Sequence, residues 1–482
     1  MEPILDIAID LPEKGSRELL RSLHRQLRAA IIDGRLQPGL RLPPTRALAE
    51  GLGISRNTVI AAYDMLLSEG YVEGRRGAGT YVADVRPRLE RPRAPLRADP
   101  IADRRLGPTW RGWRPLAETC SGETYRYDFV AGMPDGQFPF DIWQRLSTRA
   151  VRKVAKSQVR AHDPAGEPLL REAIASHASF VRAVACRPED IVVTAGTIQA
   201  IDLIARILVT PGETEVAVED PGYGPTRRSF LGAGAKVLSI PVDEEGLVVD
   251  RLPPSARVIC VTPSHQLPLG VAMSARRRAA LLHFAESFGA VIVEDDYDSE
   301  FRHDHMPLDA LQTLDRSGSV FYVGTFSKSM FPALRMGFVV VPEWARYALT
   351  LAKQMNDRHN PLISQLALAD FITEGHLARH VRKMRRIYSA RHEALRAALD
   401  EHLGERLRAF RAHAGVHLAA ELTVPCDEQA LVAKAAASRI RIEDIARYAS
   451  RDVVQKGLVF GFGMIEAEDI EPAVEELASM VT

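Results

Sequence analysis

Hydrophobic positions in the first 84 residues recur with a helical period and then switch to an alternating one. Leu20, Leu23, Leu27 and Ile31 share one stripe of segment 16–33, which predicts an amphipathic helix. QPGLRLPPT supplies a turn, and TRALAEGL predicts a short second helix opening near Thr45. A turn at Gly53 leads into a third helix in GISRNTVIAAYDMLL, with Ser55 as its N-cap. Val59, Tyr63 and Leu66 point inward on that helix, leaving Arg56, Asn57 and Thr58 exposed at its start. EGYVEGRRGAGTYV then predicts two strands around a glycine-rich basic tip.

Beyond residue 120 the pattern changes again. DIVVTAG, EVAVEDP, AKVLSIP, RVICVTP, AVIVEDD, SVFYVGT and MGFVVVP are short apolar runs rich in Val and Ile. Helical patterns such as TIQAIDLIARILV and SARRRAALLHFAESFG alternate with them. This rhythm predicts a largely parallel sheet covered on both faces, with ligands bound beyond the carboxyl ends of its strands. Between the two blocks, residues 85–115 carry six prolines and nine arginines against three acids. That composition predicts a semi-extended basic linker, with short structured pieces around Trp110 and Trp113. The expected division is 1–84, a linker over 85–119, and a body over 120–482.

The formal net charge of the 482-residue chain is zero, but residues 1–115 carry +6 and the rest −6. A basic front on an acidic body is compatible with a nucleic-acid-binding appendage. The four cysteines, Cys120, Cys186, Cys260 and Cys426, lack the spacing of a zinc site or a disulfide framework. The opening MEPILDIAIDLPEKG has acids where a signal peptide needs a basic start, and no apolar run reaches the length of a membrane span. A cytoplasmic protein without a membrane partner is expected.

The body's candidate chemistry lies just after its apolar runs. In TFSKSMFPALR, Lys328 follows a buried strand, where desolvation would lower its pKa and free the amine to attack a carbonyl. In VIVEDDYD, Asp295 and Tyr297 are two apart and share a face of the extended chain. An aspartate there would keep a pyridine nitrogen protonated, while a phenol bonds the ring oxygen. A metal site built from Glu294, Asp295, Asp296 and Asp298 lacks a histidine at useful spacing, so no metal is expected. Gly196, Thr197 and Ile198 sit at a strand-to-helix turn whose amides suit a phosphate. Tyr223 follows another strand and can stack on a flat ring, and Ser327 and Arg335 offer a hydroxyl and a cation for phosphate.

The block LPPTRALAEGLGISRNTV–AYDMLLSEGYVEGRRGAGTYV resembles the winged helix-turn-helix of the GntR regulators. That resemblance implies contacts with double-stranded operator DNA from Arg46, Ser55, Arg56, Asn57 and Thr58. Arg75, Arg76, Gly77 and Thr80 join them in the wing. The body resembles the fold-type I aminotransferases, which implies an α/β body with a large, mostly parallel sheet and a smaller C-terminal α+β part from about residue 380. It also implies pyridoxal 5'-phosphate, with Lys328 as Schiff-base lysine, Asp295 at the pyridine nitrogen and Tyr297 at the ring oxygen. Thr325, Ser327, Arg335 and the 196–198 amides would cradle the phosphate.

The two blocks together are similar to the MocR subfamily of bacterial regulators, carried by DPAGEPLLREAIA, TPSHQLPLG, EDDYDSEFR and TFSKSMFPALRMG. Departures from working aminotransferases bear on turnover. GLVFGFGMIEA lacks the arginine that holds a substrate carboxylate, and PSHQLPLG puts His265 or Gln266 where the enzymes have an asparagine. Arg227, Arg228 or Arg447 are the candidates to compensate. The resemblance therefore implies a head-to-tail homodimeric regulator that senses an amino compound, or the cofactor itself, without physiological turnover. The rival reading is a true aminotransferase carrying a DNA-binding appendage.

Overall fold

The computed structural model describes residues 7, 9–12, 16, 18–75, 77–84, 105–111, 113, 124–157, 162–303, 309–450 and 455–481. Arg76, Cys120 and most of the 85–119 segment lie outside these residues. The chain divides into two compact units, 1–106 and 107–482.

In the first unit, helices α1 (Leu19–Ile32), α2 (Thr45–Leu52) and α3 (Arg56–Ser68) precede an antiparallel hairpin, β1 (Val72–Arg75) and β2 (Gly79–Val82). Leu23, Leu27 and Ile31 of α1 are buried against Val59, Tyr63 and Leu66 of α3, as the 3.6-residue period requires. Gly53 ends α2 in the left-handed region (φ 64°), where a side chain would be strained. The Ser55 hydroxyl then accepts the Thr58 amide, so α3 starts with only Gly53, Ile54 and Ser55 between it and the end of α2.

The second unit begins at a short 3-10 turn (Pro108–Trp110), where the Trp110 and Trp113 rings meet edge to face at 5.2 Å. Its eight-stranded sheet runs β4 (Ile191–Thr194), β11 (Gly337–Val340), β10 (Val320–Thr325), β9 (Val291–Asp296), β8 (Ala256–Val261), β5 (Glu215–Asp220), β6 (Lys236–Asp243), β7 (Gly246–Leu247). The run from β10 to β6 is parallel throughout, while β11 is antiparallel to both β4 and β10. The segment 326–336 that joins β10 to β11 is too short for a crossover helix, so the chain must return antiparallel.

Alternation along each strand sends neighbours to opposite cores. Val216 and Val218 join one core, which holds α6 (Thr197–Leu208), α7 (Gly224–Gly232) and α10 (Arg346–Asp357). Ala217 joins the other, with α8 (Ala275–Phe288) and α9 (Leu311–Leu314). A third core unites α4 (Phe140–Lys156), α5 (Pro168–Arg182), α11 (Leu362–Thr373), α12 (His376–Leu403) and α14 (Ala467–Ala478). It also packs the smaller antiparallel sheet, ordered β12 (Leu407–Ala409), β13 (His417–Leu422), β16 (Gly457–Gly461), β15 (Glu443–Asp444). Helix α13 (Glu428–Ala437) precedes β14 (Ile440–Arg441), which pairs in parallel with β3 (Tyr127–Asp128). No described helix is long and apolar enough to cross a membrane.

Candidate functional site

The carboxyl ends of β4, β5, β8, β9 and β10 open onto one cavity of about 560 Å³. Lys328 reaches its wall from the connection after β10, and its ammonium donates to the carbonyl of Gly132. Gly132 has φ 74°, and a Cβ there would stand 3.1 Å from the lysine nitrogen, so only glycine leaves the amine this room. Burial pushes the Lys328 pKa down, against the raising pull of Asp298 and Asp295. The amine is thereby biased toward its neutral, nucleophilic form.

Asp295 lies at the end of β9 and also faces the cavity. Burial first, then the charges of Asp296, Glu219 and Asp298, push its carboxyl up to about 8. Its Oδ1 is buried without a hydrogen-bond partner. An orphaned buried carboxylate oxygen is costly, and a cationic N–H facing it would satisfy it and restore its charge. Residues 195–198 and Arg335 form a second pole. Gly196, at φ 89°, precedes α6 without a side-chain cap, which leaves the first-turn amides open to an anion. The Arg335 guanidinium lies over Gly196, where a Cβ would come within 3.4 Å of it, and bonds the Ala195 carbonyl at 2.8 Å. Thr325 and Ser327 add hydroxyls 3.0 Å apart at the same end. Tyr223 at the start of α7 lines the wall, its phenol pushed up to about 12 by burial.

The geometry thus brings together Lys328, Asp295, Tyr297, Tyr223, Thr197, Ile198, Thr325, Ser327 and Arg335 around one space, with Gly196 behind Arg335. His265 and Gln266 are a correction to the sequence expectation, because neither lines the cavity. The Gln266 amide donates to the carbonyls of Pro221 and Leu267 within the body. His265 is fully buried behind Tyr297, whose hydroxyl lies 3.2 Å from its Nδ1. Thr262 and Leu267 reach the wall from that connection instead. Of the arginines suggested to compensate, Arg228 and Arg447 line the cavity, whereas Arg227 donates to Ser239 and pairs with Asp220.

Sequence patterns did not single out Ala131–Met133 or Tyr448. The only hint lay in GFG: a Cβ on Gly461 or Gly463 would strike the carbonyl of Val130 or Met133 at under 2 Å. Those glycines let segment 130–133 pass close to β16. The 3-10 turn Ile445–Tyr448 comes over the cavity from the smaller sheet, and Tyr448 accepts the Gly222 amide through its carbonyl.

In the first unit, Ser55, Arg56 and Asn57 are exposed at the start of α3 and Thr58 is half-buried. Arg46 is exposed on α2 and pairs with Glu50 at 3.5 Å. Arg75 bonds Glu73 at 2.6 Å and lies over the Tyr81 ring, with Gly77 at the hairpin tip in the left-handed region. The Thr80 carbonyl accepts the Leu42 amide, so its backbone anchors the wing.

Residues 19–82 match the family described as bacterial regulatory proteins, gntR family, and residues 133–447 match aminotransferase class I and II. The chain is 38% identical to the probable rhizopine catabolism regulatory protein MocR of Rhizobium meliloti, over 99% of this chain and 95% of that one. It is 31% identical to the HTH-type pyridoxine biosynthesis transcriptional regulator PdxR of Corynebacterium glutamicum, over 99% of each. Among solved structures, a kynurenine aminotransferase from Pyrococcus horikoshii, in complex with PMP, superimposes with a TM-score of 0.69 at 25% identity. It covers 78% of this chain and 98% of its own. The match runs end to end with two-block regulators and stops at the body for the enzymes, so the chain belongs to the MocR subfamily of GntR-type transcription regulators.

Proposed function

We propose that this regulator holds pyridoxal 5'-phosphate on Lys328 and couples the state of that site to binding of operator DNA by residues 1–84. The observation that carries the reading is the orphaned Asp295 oxygen in the same cavity as Lys328 and an arginine-backed helix start. When bound, the cofactor supplies an aldehyde for a lysine or an amino compound and a ring that withdraws electrons. The chain's own residues do the rest. Asp295 would keep a proton on the pyridine nitrogen, Tyr297 would donate to the ring oxygen, and Tyr223 would cover one face. Thr325, Ser327, Arg335 and the 196–198 amides hold the phosphate. Lys328, held beside the Gly132 carbonyl, would offer its amine to that aldehyde.

Arg228 and Arg447 line the cavity, which suits an effector with a carboxylate beside its amine. The cofactor itself is the alternative effector. Physiological transamination is not proposed, because β16 carries no arginine to fix a substrate for turnover. The cytoplasm is the proposed compartment, and the proposed boundaries remain 84/85 and 119/120.

We also propose a head-to-tail homodimer through the body. Trp344 in the turn before α10 and Tyr347, Leu351 and Met355 along it make an exposed apolar stripe, with Tyr347 and Met355 about four-fifths exposed. Such stripes on soluble proteins mark interfaces. DNA recognition is assigned to Arg46, Ser55, Arg56, Asn57 and Thr58 for the helix, and to Arg75, Arg76, Gly77 and Thr80 for the wing. Borohydride treatment followed by peptide mapping tests the central assignment. The cofactor should be fixed on the peptide containing Lys328, and Lys328→Ala should lose both the label and the visible absorbance. Label retained elsewhere in that variant rejects it.

A further inference from the structure

Behind Tyr297 lies a cluster that the cofactor contacts leave unused. His265, Asp298 and His417 are all buried at the meeting of the large sheet and the smaller one. Their composition suits a metal, but the two imidazoles lie tilted at 40° with centroids 4.3 Å apart, and the His265 Nδ1 and His417 Nε2 atoms are already engaged with Asp298 and the Pro268 carbonyl. Their hydrogen bonds instead make a chain. The His265 Nδ1 sits 3.0 Å from both carboxylate oxygens of Asp298 and 3.2 Å from the Tyr297 hydroxyl. Asp298 also accepts the amide of Val416 at 3.3 Å, in the segment entering β13. Gly415 presses directly on this pair: a Cβ there would lie 2.0 Å from His265 Cε1 and 2.6 Å from Asp298 Oδ2, at φ 92°. His417 continues the contact and bonds the Pro268 carbonyl at 3.1 Å.

We propose that Asp298 and His265 are positioning residues that keep the Tyr297 hydroxyl hydrogen free for the cofactor's ring oxygen and tie it to the Gly415–Val416 backbone of the smaller sheet. The argument is one of occupancy. An ionised Asp298 takes the Nδ1 hydrogen of His265, and a protonated Asp298 fills the Nδ1 lone pair with its own hydrogen. In either state the phenol has no acceptor left on His265, so its hydrogen turns to the ring. Without Asp298 the Nδ1 lone pair is open, and the phenol hydrogen is drawn backward. The segment entering β13 therefore senses the same hydrogen-bond chain that holds the ring oxygen, which gives the cofactor's state a route into the smaller sheet. The ionisable groups facing this chain are Asp295 and Asp296 of β9, Glu219 of β5, Lys328, His417 and Tyr448.

This inference rests on the proposed pyridoxal phosphate site, and one spectroscopic experiment separates the two. The full-length protein is loaded with pyridoxal phosphate and its visible band titrated against pH. A hydrogen bond to the ring oxygen favours the anionic form and lowers the midpoint, so its loss raises it. Tyr297→Phe and Asp298→Ala should each raise the midpoint by about one pH unit. Their double variant should rise no further, since both remove the same bond. Asp298→Asn, whose carbonyl still accepts from Nδ1, should stay near the wild-type value. If Asp298→Ala does not fold, the near-isosteric Asp298→Leu, which also leaves the Nδ1 lone pair of His265 open, reports instead and should raise the midpoint too. An unchanged midpoint in the folded single variant, or shifts that add in the double variant, overturns the inference. Wild-type protein that takes up no cofactor overturns the underlying site reading instead.

Discussion

The DNA-reading unit and the cofactor cavity place their chemistry in opposite ways. In the reader, the candidate contacts lie between Arg46 and Thr80, mostly exposed, on two short helices and one hairpin. In the cavity they come from segments spread between Ala131 and Tyr448, and several are buried. An exposed arginine on a capped helix needs only its own helix to be placed. A buried aspartate needs a sheet, its neighbours and a partner charge. Substitutions should therefore act locally in the reader and collectively in the body.

The largest expected effect is steric and remote from the chemistry. Gly461→Ala drives a methyl into the Val130 carbonyl, 1.9 Å from the ideal Cβ. It should destabilise the body by about 3 kcal/mol or more and abolish the visible cofactor band. Calorimetry should show the body's transition lowered and the reader's unchanged; equal lowering of both would break the comparison.

Next in size is operator recognition. Arg56→Ala or Asn57→Ala should cost on the order of 1–3 kcal/mol at the operator and relax sequence preference, with the cofactor spectrum intact. Arg75→Ala should weaken operator and scrambled DNA alike and reduce the salt slope by about one. Binding isotherms at several salt concentrations read both, and reversed behaviour would exchange the roles of helix and wing.

A pH effect should belong to the body alone. Burial pushes Asp295 up to about 8 and Glu219, Glu294 and Asp298 to about 7. The folded state keeps protons that the unfolded chain releases from its ordinary carboxyls near 4. As far as these groups decide it, stability of the cofactor-free body is therefore greatest below about pH 4 and falls as pH rises from there toward 8. A cation facing Asp295 reverses that part of the loss, so pyridoxal phosphate should raise the body's Tm more at pH 8 than at pH 5. A pH-independent increment would count against Asp295 as the ring partner.

The smallest effect is the cap. Ser55→Ala removes the acceptor for the Thr58 amide and should cost about 0.5–2 kcal/mol in the reader without touching the body. Thermal unfolding followed at the reader's transition measures it.

The sequence alone determined the features that depend on near neighbours. The stripe of Leu23, Leu27 and Ile31, the Ser55 cap and the seven apolar runs all became the elements their periods predict, because side-chain period and capping are properties of a few consecutive residues. The strand-end positions of Lys328, Asp295 and Tyr223 were legible for the same reason, once a parallel sheet was expected. Tertiary structure decided the rest. It turned His265 and Gln266 away from the cavity, because Asp298 and the Pro221 and Leu267 carbonyls, distant or unremarkable in sequence, offer their polar groups buried partners. It also brought Gly132 to the lysine and Tyr448 to the cavity wall. Such positions depend on which segments come to share a space, and a pattern of residue types along the chain carries no record of those long-range distances.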